Sequence, residues 1–350
     1  MNSFQEKMAA WLSRAGPERS VNSCVSLPVA LATDIGLQRT ENQDRVAALR
    51  ISSNANGGRS LVAVAVADGM GGMRDGGKCA TLALASFFYA LTLHRNHDLQ
   101  RRAVAAISHA NSEVFKFAGG KGGATLSAVL LDQDLRPFIV NLGDSRVYAF
   151  GGEKVERLTR DDSLAEAVGG HGRELLQFVG MGEGMQPHVE AVSLGISNLA
   201  ITTDGIHFIE AQTLESILSN ANELRSAAER LAALARWCGG PDNASSAMID
   251  MKALVAKMRA GGDDGIELWN ASGSLIPIWI RETLTSADEG PSAETTPKST
   301  SPEVVDRPSK EKPDVKKGKR SKKPAEKKED IQLEIQIDQS TGSDEANEDR

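Results

Sequence analysis

The sequence is poor in aromatic residues and in cysteine. Aromatic side chains make up 4% of the 350 residues, so a hydrophobic core has to be built mainly from Ala, Val, Leu and Ile. The three cysteines, Cys24, Cys79 and Cys238, are odd in number and far apart, and they contain no CxxC pair. This spacing argues against a disulfide framework and against a zinc site, and it favours free thiols in a reducing compartment.

Long apolar runs and an excess of positive charge are also missing. No stretch reaches the about 18 consecutive apolar residues of a membrane span. The N-terminal segment carries Glu6, Lys7 and Arg14 among its apolar residues, which is not the pattern of a signal peptide. The formal charge of -7 argues against a general affinity for nucleic acid. We therefore expect a cytoplasmic protein without a membrane partner.

The composition changes sharply at Ser286. From there to Arg350 the chain has no aromatic residue, Cys or Met, and it holds six of the twelve prolines. Such a segment buries too little apolar surface to offset chain entropy, so residues 286–350 are predicted to be a disordered tail rich in Lys, Glu and Pro. A solvated tail is the simpler interpretation of its basic block, Arg307 to Lys328. The alternative is a tail-binding partner, either an acidic protein or nucleic acid.

One stretch of the tail, Ile331 to Ile337, alternates apolar and polar residues in the manner of a half-buried strand. With no sheet of its own expected in the tail, it would be a peptide that adds to the sheet edge of a partner.

The rest of the chain is predicted to divide into three parts. Residues 1–20 form an amphipathic N-terminal extension, in which Trp11 shares a helical face with Phe4 and Met8. Residues 21–257 form the main domain. Residues 258–285 form an apolar extension that contains Trp269 and Trp279. Both extensions are expected to pack on the domain, and a docking surface for a partner is the alternative.

Alternating apolar runs and Ala-rich stretches predict mixed α and β structure in the main domain. The predicted strands are Leu61–Ala67, Thr125–Leu131, Phe138–Leu142, Leu199–Thr202 and, as the last one, Ala244–Met251. The predicted helices are Gly76–Leu93, Asp98–Ala118 and Leu214–Cys238, the last in two pieces.

The informative residues are aspartates next to these strands. Asp68 directly follows an apolar run, Asp204 follows another one after Thr203, and each precedes a glycine. Asp242 stands just before the last strand. Asp144 follows another run, and Asp44 lies near the start of the domain. A single Asp-Gly pair after a strand is usually a turn. Five such aspartates together favour a site for hard divalent cations, which take oxygen ligands.

In chain order, these segments resemble the signature of the metal-dependent protein phosphatase family (type 2C, or PPM), in its bacterial form. The resemblance covers Val29 to Met251. Its motifs are Arg39-Thr40-Glu41-Asn42-Gln43-Asp44, Asp68-Gly69-Met70-Gly71-Gly72, Gly123-Ala124-Thr125, Gly143-Asp144-Ser145-Arg146, Leu158-Thr159, Asp204-Gly205 and Asp242-Asn243.

The resemblance implies an α+β fold, in which a two-sheet antiparallel β-sandwich is flanked by helices on both faces in four α-β-β-α layers. It also implies two Mn²⁺ or Mg²⁺ ions. Asp68 would bridge both ions and the Gly69 carbonyl would bind one of them. Asp204 and Asp242 would complete the ligands of the other, and Asp44 would hold water bound to the pair.

Further roles follow from the same resemblance. Arg39 matches the arginine that binds the substrate phosphate, for which a planar guanidinium is suited. Asp144 matches a ligand of a third, weaker divalent ion. Gln43 and Asn243 would support these residues without being principal ligands, and Gln43 stands where many members have a ligating Glu.

The implied activity is a protein serine/threonine phosphatase, which hydrolyses phosphoserine and phosphothreonine by direct attack of a water that bridges the two metals. Phosphorylated proteins would be its substrates, and a Ser/Thr kinase would oppose it. Two alternatives stay open: a phosphatase dedicated to a regulatory partner of the anti-sigma antagonist type, and a non-catalytic binding module with this fold.

Several positions depart from the family pattern. Met73 and Asp162 stand where histidines are usual, Ser245 stands for a common Thr, and Met70 is shared only with bacterial members. The segment from Arg160 to His188, the lid segment, is short and rich in glycine, so it is expected to move and to govern substrate preference. No histidine belongs to a matched motif; His171 and His188 come closest to a role.

Overall fold

The computed structural model describes residues 3–52, 60–70, 75–151, 154–169, 174–193, 195–261, 265–279 and 333–336. Gly71, Gly72, Met73, His171 and most of the tail lie outside the described residues. The chain divides into two compact units, one made of Met1–Ile278 with Ile335–Arg350 and the other of Trp279–Glu334. The site described below belongs to the first unit, and so does the fold except for the last residue of β13 and the first two of β14.

Eight helices occur in the described residues. They include the three helical regions that the sequence predicts, with α2 at the predicted bounds and α3 one residue shorter because Asp98 is its N-cap. The helices are α1 Ser3–Leu12, α2 Gly76–Leu93, α3 Leu99–Ala118, α4 Leu164–Val168, α5 Asp204–His207, α6 Ala211–Ser219, α7 Leu224–Trp237 and α8 Met251–Ala260.

The described strands include every predicted one, within a residue or two at each end. The strand that begins at Ala244 was predicted to be the last one. This prediction is wrong, because three more strands follow it in the described residues. The strands are β1 Arg19–Ser23, β2 Val29–Asp34, β3 Arg45–Ser52, β4 Leu61–Ala67, β5 Leu126–Asp132, β6 Phe138–Leu142, β7 Arg146–Phe150, β8 Glu156–Arg157, β9 His188–Ala191, β10 Asn198–Thr202, β11 Ala244–Asp250, β12 Gly265–Asn270, β13 Gly273–Trp279 and β14 Leu333–Gln336.

These strands form two sheets whose registered neighbours are all antiparallel. One sheet has six strands in the order β1-β2-β11-β10-β7-β8, and the other has eight in the order β14-β13-β12-β3-β4-β5-β6-β9. β14 falls in the alternating segment of the tail, which was expected to have no sheet of its own and instead has an edge position in this one.

The two sheets pack face to face around the main core. Val62, Val64 and Val66 of β4 point into it from one sheet, and Leu199 and Ile201 of β10 from the other. All seven residues of β4 are buried, because the opposite face of this strand is covered by helices. The sandwich predicted from the resemblance is therefore confirmed.

Helices cover both outer faces. On the six-stranded sheet, α5, α6 and α7 enclose a second core that includes Leu214 and Leu231. On the other sheet lie α2 and α3, and Phe87 and Phe88 of α2 are fully buried there. α2 is the one described helix long and apolar enough to cross a membrane, but 78% of that stretch is buried inside the fold. Its apolar character serves the core.

Both predicted extensions have contacts with the main fold. In α1, Met8 and Trp11 are 1% and 6% exposed, and Gln5 donates a hydrogen bond to Ser86 of α2 at 2.7 Å. β12 pairs with β3, and its Trp269 is buried in the core between the sheets. The predicted domain boundaries at 20/21 and 257/258 fall inside β1 and α8 respectively.

Candidate active site

Antiparallel pairing gathers the predicted site residues at one end of the sandwich. Arg45 at the start of β3 pairs with Ala67 at the end of β4, so Asp44 and Asp68 leave their strands side by side. In the other sheet, Thr202 at the end of β10 pairs with Ser246 near the start of β11. The same pairing brings Asp204 beside Asp242, and the start of β7 beside both.

A cavity of about 180 Å³ opens at this end of the sandwich. It is lined by four of the predicted aspartates and by the predicted phosphate-binding arginine. The lining residues are Arg39, Gln43, Asp68, Gly69, Met70, Thr125, Asp144, Leu175, Asp204 and Asp242. Four carboxylates therefore line one small concave site. Such a cluster of like charges in a cavity indicates a functional site that binds a charged ligand.

Asp68 is held by its backbone. Its N–H donates to the Thr125 hydroxyl at 3.0 Å and its carbonyl accepts from the Thr125 N–H at 2.9 Å. The carboxylate is thereby fixed at the cavity. Burial raises the pKa of Asp68 well above its usual value, and repulsion from Asp44, Asp204 and Asp144 raises the pKa further.

Asp44 is buried beside the cavity. The Thr203 hydroxyl donates to its Oδ2 at 2.8 Å, whereas its Oδ1 is buried and accepts no hydrogen bond from the described residues. Burial raises the pKa of Asp44 to about 7, because hydrogen bonds from Thr203 and Ser245 offset only part of the desolvation and of the repulsion from Asp204. Sequence reasoning missed Thr203, although its position directly before Asp204 was a usable signal.

Arg39 and Asp242 are bound to each other. Arg39 Nη2 lies 2.6 Å from Asp242 Oδ2, and this hydrogen bond raises the pKa of Arg39. The predicted phosphate ligand and one predicted metal ligand thus form an ion pair at the cavity. Both side chains are partly exposed, so the pair is accessible to solvent.

Asn243 and Gln43, which were expected to support the ligands, lie next to the cavity. The Asn243 side chain accepts from the Gln43 N–H at 2.8 Å and donates to the carbonyls of Ile35 and Glu41, so it ties down the loop that carries Arg39. Its neighbour Asp242 is held by the Asn243 backbone N–H instead. The Gln43 side chain lines the cavity itself.

Asp144 occupies the turn between β6 and β7. Burial raises its pKa to about 7, and repulsion from Asp204 and Asp161 contributes. Behind it, Ser145 shares a hydrogen bond with the hydroxyl of Thr125, at 2.8 Å. Thr125 therefore contacts both Asp68 and the residue that follows Asp144. Leu175 of the lid segment lines the cavity and was not predicted.

Two glycines of the motifs are required by close backbone approaches. A Cβ on Gly69 would lie 2.3 Å from the Gly76 carbonyl oxygen, and one on Gly205 would lie 1.9 Å from that of Asn243. Neither position has room for a side chain, because the neighbouring atoms belong to the backbone. These contacts keep the backbone on either side of the cavity close to the carboxylates.

The donor set fits hard divalent cations. It consists of oxygen atoms: Asp68, Asp144, Asp204 and Asp242 line the cavity, and the buried Asp44 Oδ1 lies beside it without a hydrogen bond from the described residues. Mg²⁺ and Mn²⁺ prefer such ligands. Within the same residues, no three His, Cys, Asp or Glu side chains meet closely enough to enclose one ion. Water and the Gly69 carbonyl would therefore have to complete each coordination shell.

The fold and the cavity define a class: a two-sheet sandwich with an acidic, arginine-bearing site suited to divalent cations and phosphate. Comparison with known proteins gives the family. The sequence model described as Protein phosphatase 2C matches residues 38–251, and the chain belongs to this family.

Several characterised relatives are bacterial phosphatases. The chain is 26% identical over 247 residues to the protein phosphatase PhpP of Streptococcus pneumoniae. The alignment covers 64% of this chain and 98% of PhpP. It is 26% identical over 287 residues to the serine/threonine protein phosphatase PstP of Mycobacterium tuberculosis, covering 74% of this chain and 53% of PstP.

Solved structures give the same result. The PPM Ser-Thr phosphatase MsPP of Mycobacterium smegmatis, in complex with cacodylate, has a TM-score of 0.53 and 28% identity, covering 63% of this chain and 97% of that one. The catalytic domain of PstP in complex with two manganese ions has a TM-score of 0.53 and 25% identity, covering 66% and 98%.

Proposed function

We propose that this chain is a manganese- or magnesium-dependent protein phosphatase that hydrolyses phosphoserine and phosphothreonine in proteins. The observation that carries the proposal is the cavity, where four carboxylates lie beside one arginine: Asp68, Asp144, Asp204, Asp242 and Arg39. Relatives named as serine/threonine protein phosphatases, and a neighbour that binds two manganese ions, support the substrate class and the metal.

The chain's own residues divide the work of phosphate ester hydrolysis. Asp68, Asp204, Asp242 and the Gly69 carbonyl would hold two cations, with Asp144 reserved for a third, weaker one. Bound there, two divalent cations neutralise charge on the phosphoryl group and lower the pKa of a water molecule.

Arg39 and Asp44 would act on the phosphate and on water respectively. Arg39 presents a planar guanidinium that can donate two hydrogen bonds to phosphate oxygens once it leaves Asp242. Asp44, held through Oδ2 by Thr203, keeps Oδ1 available to accept a hydrogen bond from water. The Thr203 contact fixes which oxygen is available, so Asp44 can orient a water without moving itself.

Three further parts of the proposal come from the sequence alone. A Ser/Thr kinase acting on the same proteins would be the opponent of this enzyme. The basic block of the tail would bind an acidic partner or nucleic acid. The cytoplasm would be its compartment.

The test of the proposal is turnover of p-nitrophenyl phosphate and of a phosphothreonine peptide with Mn²⁺, before and after EDTA. We expect activity that disappears with the chelator and returns with Mn²⁺. Asp204→Asn should reduce both activities to near background, because a ligand loses its charge.

Asp98→Asn is the matched control, because it makes the same chemical change at an exposed helix N-cap where Asn caps about as well as Asp. Turnover that survives chelation would refute the metal mechanism. Absence of turnover in a protein that still binds Mn²⁺ would support a non-catalytic binding module.

A further inference from the structure

One buried carboxylate next to the cavity has no role in the proposed chemistry. Asp162 stands in the lid segment where the family pattern has a histidine, and its side chain is 8% exposed. A buried charge of this kind is costly unless hydrogen bonds compensate it. The contacts of Asp162 therefore indicate what the carboxylate is retained for.

Asp162 makes a reciprocal pair of hydrogen bonds with Gly143. The Gly143 N–H donates to Asp162 Oδ2 at 3.0 Å, and the Asp162 N–H donates to the Gly143 carbonyl at 2.9 Å. Gly143 is the residue before Asp144 and has a φ of +103°, so its peptide groups fix the direction in which the turn enters Asp144. These two hydrogen bonds hold the backbone of that turn against Asp162.

The other carboxylate oxygen of Asp162 contacts side chains further along the lid segment. Asp162 Oδ1 accepts from Gln177 Nε2 at 3.0 Å and lies 3.1 Å from His188 Nε2. The Asp162 carbonyl accepts from the Leu176 N–H at 2.7 Å. Leu176 directly follows Leu175, which lines the cavity. Asp162 therefore binds both the turn of Asp144 and the part of the lid that carries Leu175.

His188 gives these contacts a chemical interpretation. Where the family pattern has an imidazole, this chain has a carboxylate, and the imidazole of His188 lies against that carboxylate from β9. Gln177 is held in turn by the Gln186 N–H, which donates to its Oε1 at 2.7 Å. Asp162 is thus contacted by two side chains of the lid segment, Gln177 from its middle and His188 from its end at the start of β9.

We propose that Asp162 is a positioning residue, which fixes Asp144 and Leu175 relative to each other across the cavity. The proposal rests on the proposed function in one respect, namely that Asp144 is a ligand of the weaker divalent ion. It assigns no contact with substrate or metal to Asp162 itself. Its effect should therefore be transmitted through Asp144, and that transmission can be measured.

The experiment compares Mn²⁺ binding to the full chain by titration calorimetry with kinetics on a phosphothreonine peptide. In Asp162→Asn one carboxylate oxygen becomes an NH₂ group, so either the Gly143 N–H or the lid donors lose their acceptor. We expect the weaker Mn²⁺ binding to loosen by about tenfold or more, as is typical when a group behind a metal ligand is lost. The tighter Mn²⁺ binding should remain.

The double variant Asp144→Asn/Asp162→Asn decides whether the effect passes through Asp144. We expect it to match Asp144→Asn alone, both in Mn²⁺ binding and in kcat and KM. The proposal is overturned if Asp162→Asn binds the weaker ion as the wild type does, or if it lowers kcat by the same factor in both backgrounds. Glu166→Gln is the matched control, because Glu166 is a lid carboxylate that pairs with Arg157 and Arg160 rather than with Gly143.

A second variant covers the case in which Asp162→Asn does not fold. Gln177→Ala/His188→Ala removes both lid donors and leaves the reciprocal bonds to Gly143 in place, so a smaller loosening in the same direction is expected. Unchanged binding in this variant contradicts the proposal. Because calorimetry needs no turnover, it tests the positioning role even if the wild type proves inactive, in which case the proposed function alone fails.

Discussion

At the scale of single residues, the site is dominated by charges that repel one another. The pKa values of Asp44, Asp68 and Asp144 are all raised, in each case chiefly by burial and then by neighbouring carboxylates. A metal-free fold has to tolerate this repulsion, and binding of cations relieves it. The same residues that weaken the empty fold are thus the ones that make divalent cations bind.

A histidine outside the site makes the free energy of unfolding depend on pH. His207 donates or accepts a hydrogen bond with Thr202 at 2.9 Å, and burial, followed by repulsion from Arg146 and Arg157, lowers its pKa well below 6.5. Below pH 6.5 the unfolded chain therefore binds a proton at this residue that the folded chain does not, so the contribution of His207 to stability falls as the pH falls. The raised pKa values of Asp44 and Asp144 act in the opposite direction, because the folded chain binds protons at these carboxyls that the unfolded chain does not.

We expect His207→Gln to remove this contribution, so that the stability of the variant relative to the wild type rises as the pH falls from 6.5 to 5. One titrating group changes the free energy of unfolding by at most about 1.4 kcal/mol per pH unit. Because His207 is partly exposed, we expect a smaller change. The measurement is urea denaturation across this range with metal removed. The exposed His97→Gln is the control, and parallel pH profiles for wild type and His207→Gln would contradict the expectation.

At the scale of elements, the sequence predicted the strands and helices whose own composition determines their structure. β4 is apolar throughout and α2 is Ala- and Leu-rich without proline, so both follow from composition alone and have the predicted bounds. Other strands were not predicted, among them the interior strands β2, β3 and β7. The short strands β1 and β8 were missed because edge strands depend on pairing with a neighbour that a sequence pattern does not reveal.

The candidate site divides in the same way. Its carboxylates were found because each is adjacent in sequence to a strand end. The contacts of Thr203, Leu175 and Asp162 were not found, since they join segments that are far apart in the chain. The ion pair of Arg39 with Asp242 spans 203 positions and could not be predicted either.

α1 should contribute to stability although it lies outside the matched family region. Trp11 is 6% exposed, and its face of the helix packs against α2. We expect Trp11→Ala to lower the free energy of unfolding by about 3–5 kcal/mol, the usual cost of removing a buried aromatic side chain.

Chemical denaturation with metal present measures this change. Glu6→Ala, on the exposed face of the same helix, should leave stability within about 0.5 kcal/mol of wild type. Equal stability of both variants would mean that α1 is not part of the cooperative fold.

At the scale of the whole molecule, the matched family region ends at residue 251, but the sheet does not. β12 pairs with β3 over six residues, and its Trp269 belongs to the core between the sheets. A truncation that ends with the family region would therefore expose the edge of β3 and remove a buried tryptophan. The segment up to the end of β13 is best kept in any truncated form.

The predicted role of the tail can be tested at a later position. We expect deletion of residues 286–350 to leave turnover of p-nitrophenyl phosphate unchanged and to lower kcat/KM for phosphoprotein substrates, because the basic block would bind the protein rather than the phosphate. A variant in which the lysines from Lys316 to Lys328 are replaced by glutamine separates charge from length. Equal loss of both activities on deletion would assign the tail to the fold instead.

The ion pair between Arg39 and Asp242 makes phosphate and cation thermodynamically linked. While the guanidinium holds this carboxylate, neither has its full affinity for its own ligand, so each ligand releases a competitor of the other. Mn²⁺ should therefore strengthen the binding of inorganic phosphate, and phosphate should strengthen Mn²⁺ binding by the same factor. Calorimetry should show that Arg39→Ala weakens phosphate binding, tightens Mn²⁺ binding and reduces the mutual effect to the part that comes from direct attraction between cations and phosphate; an undiminished mutual effect in the variant would place its origin elsewhere.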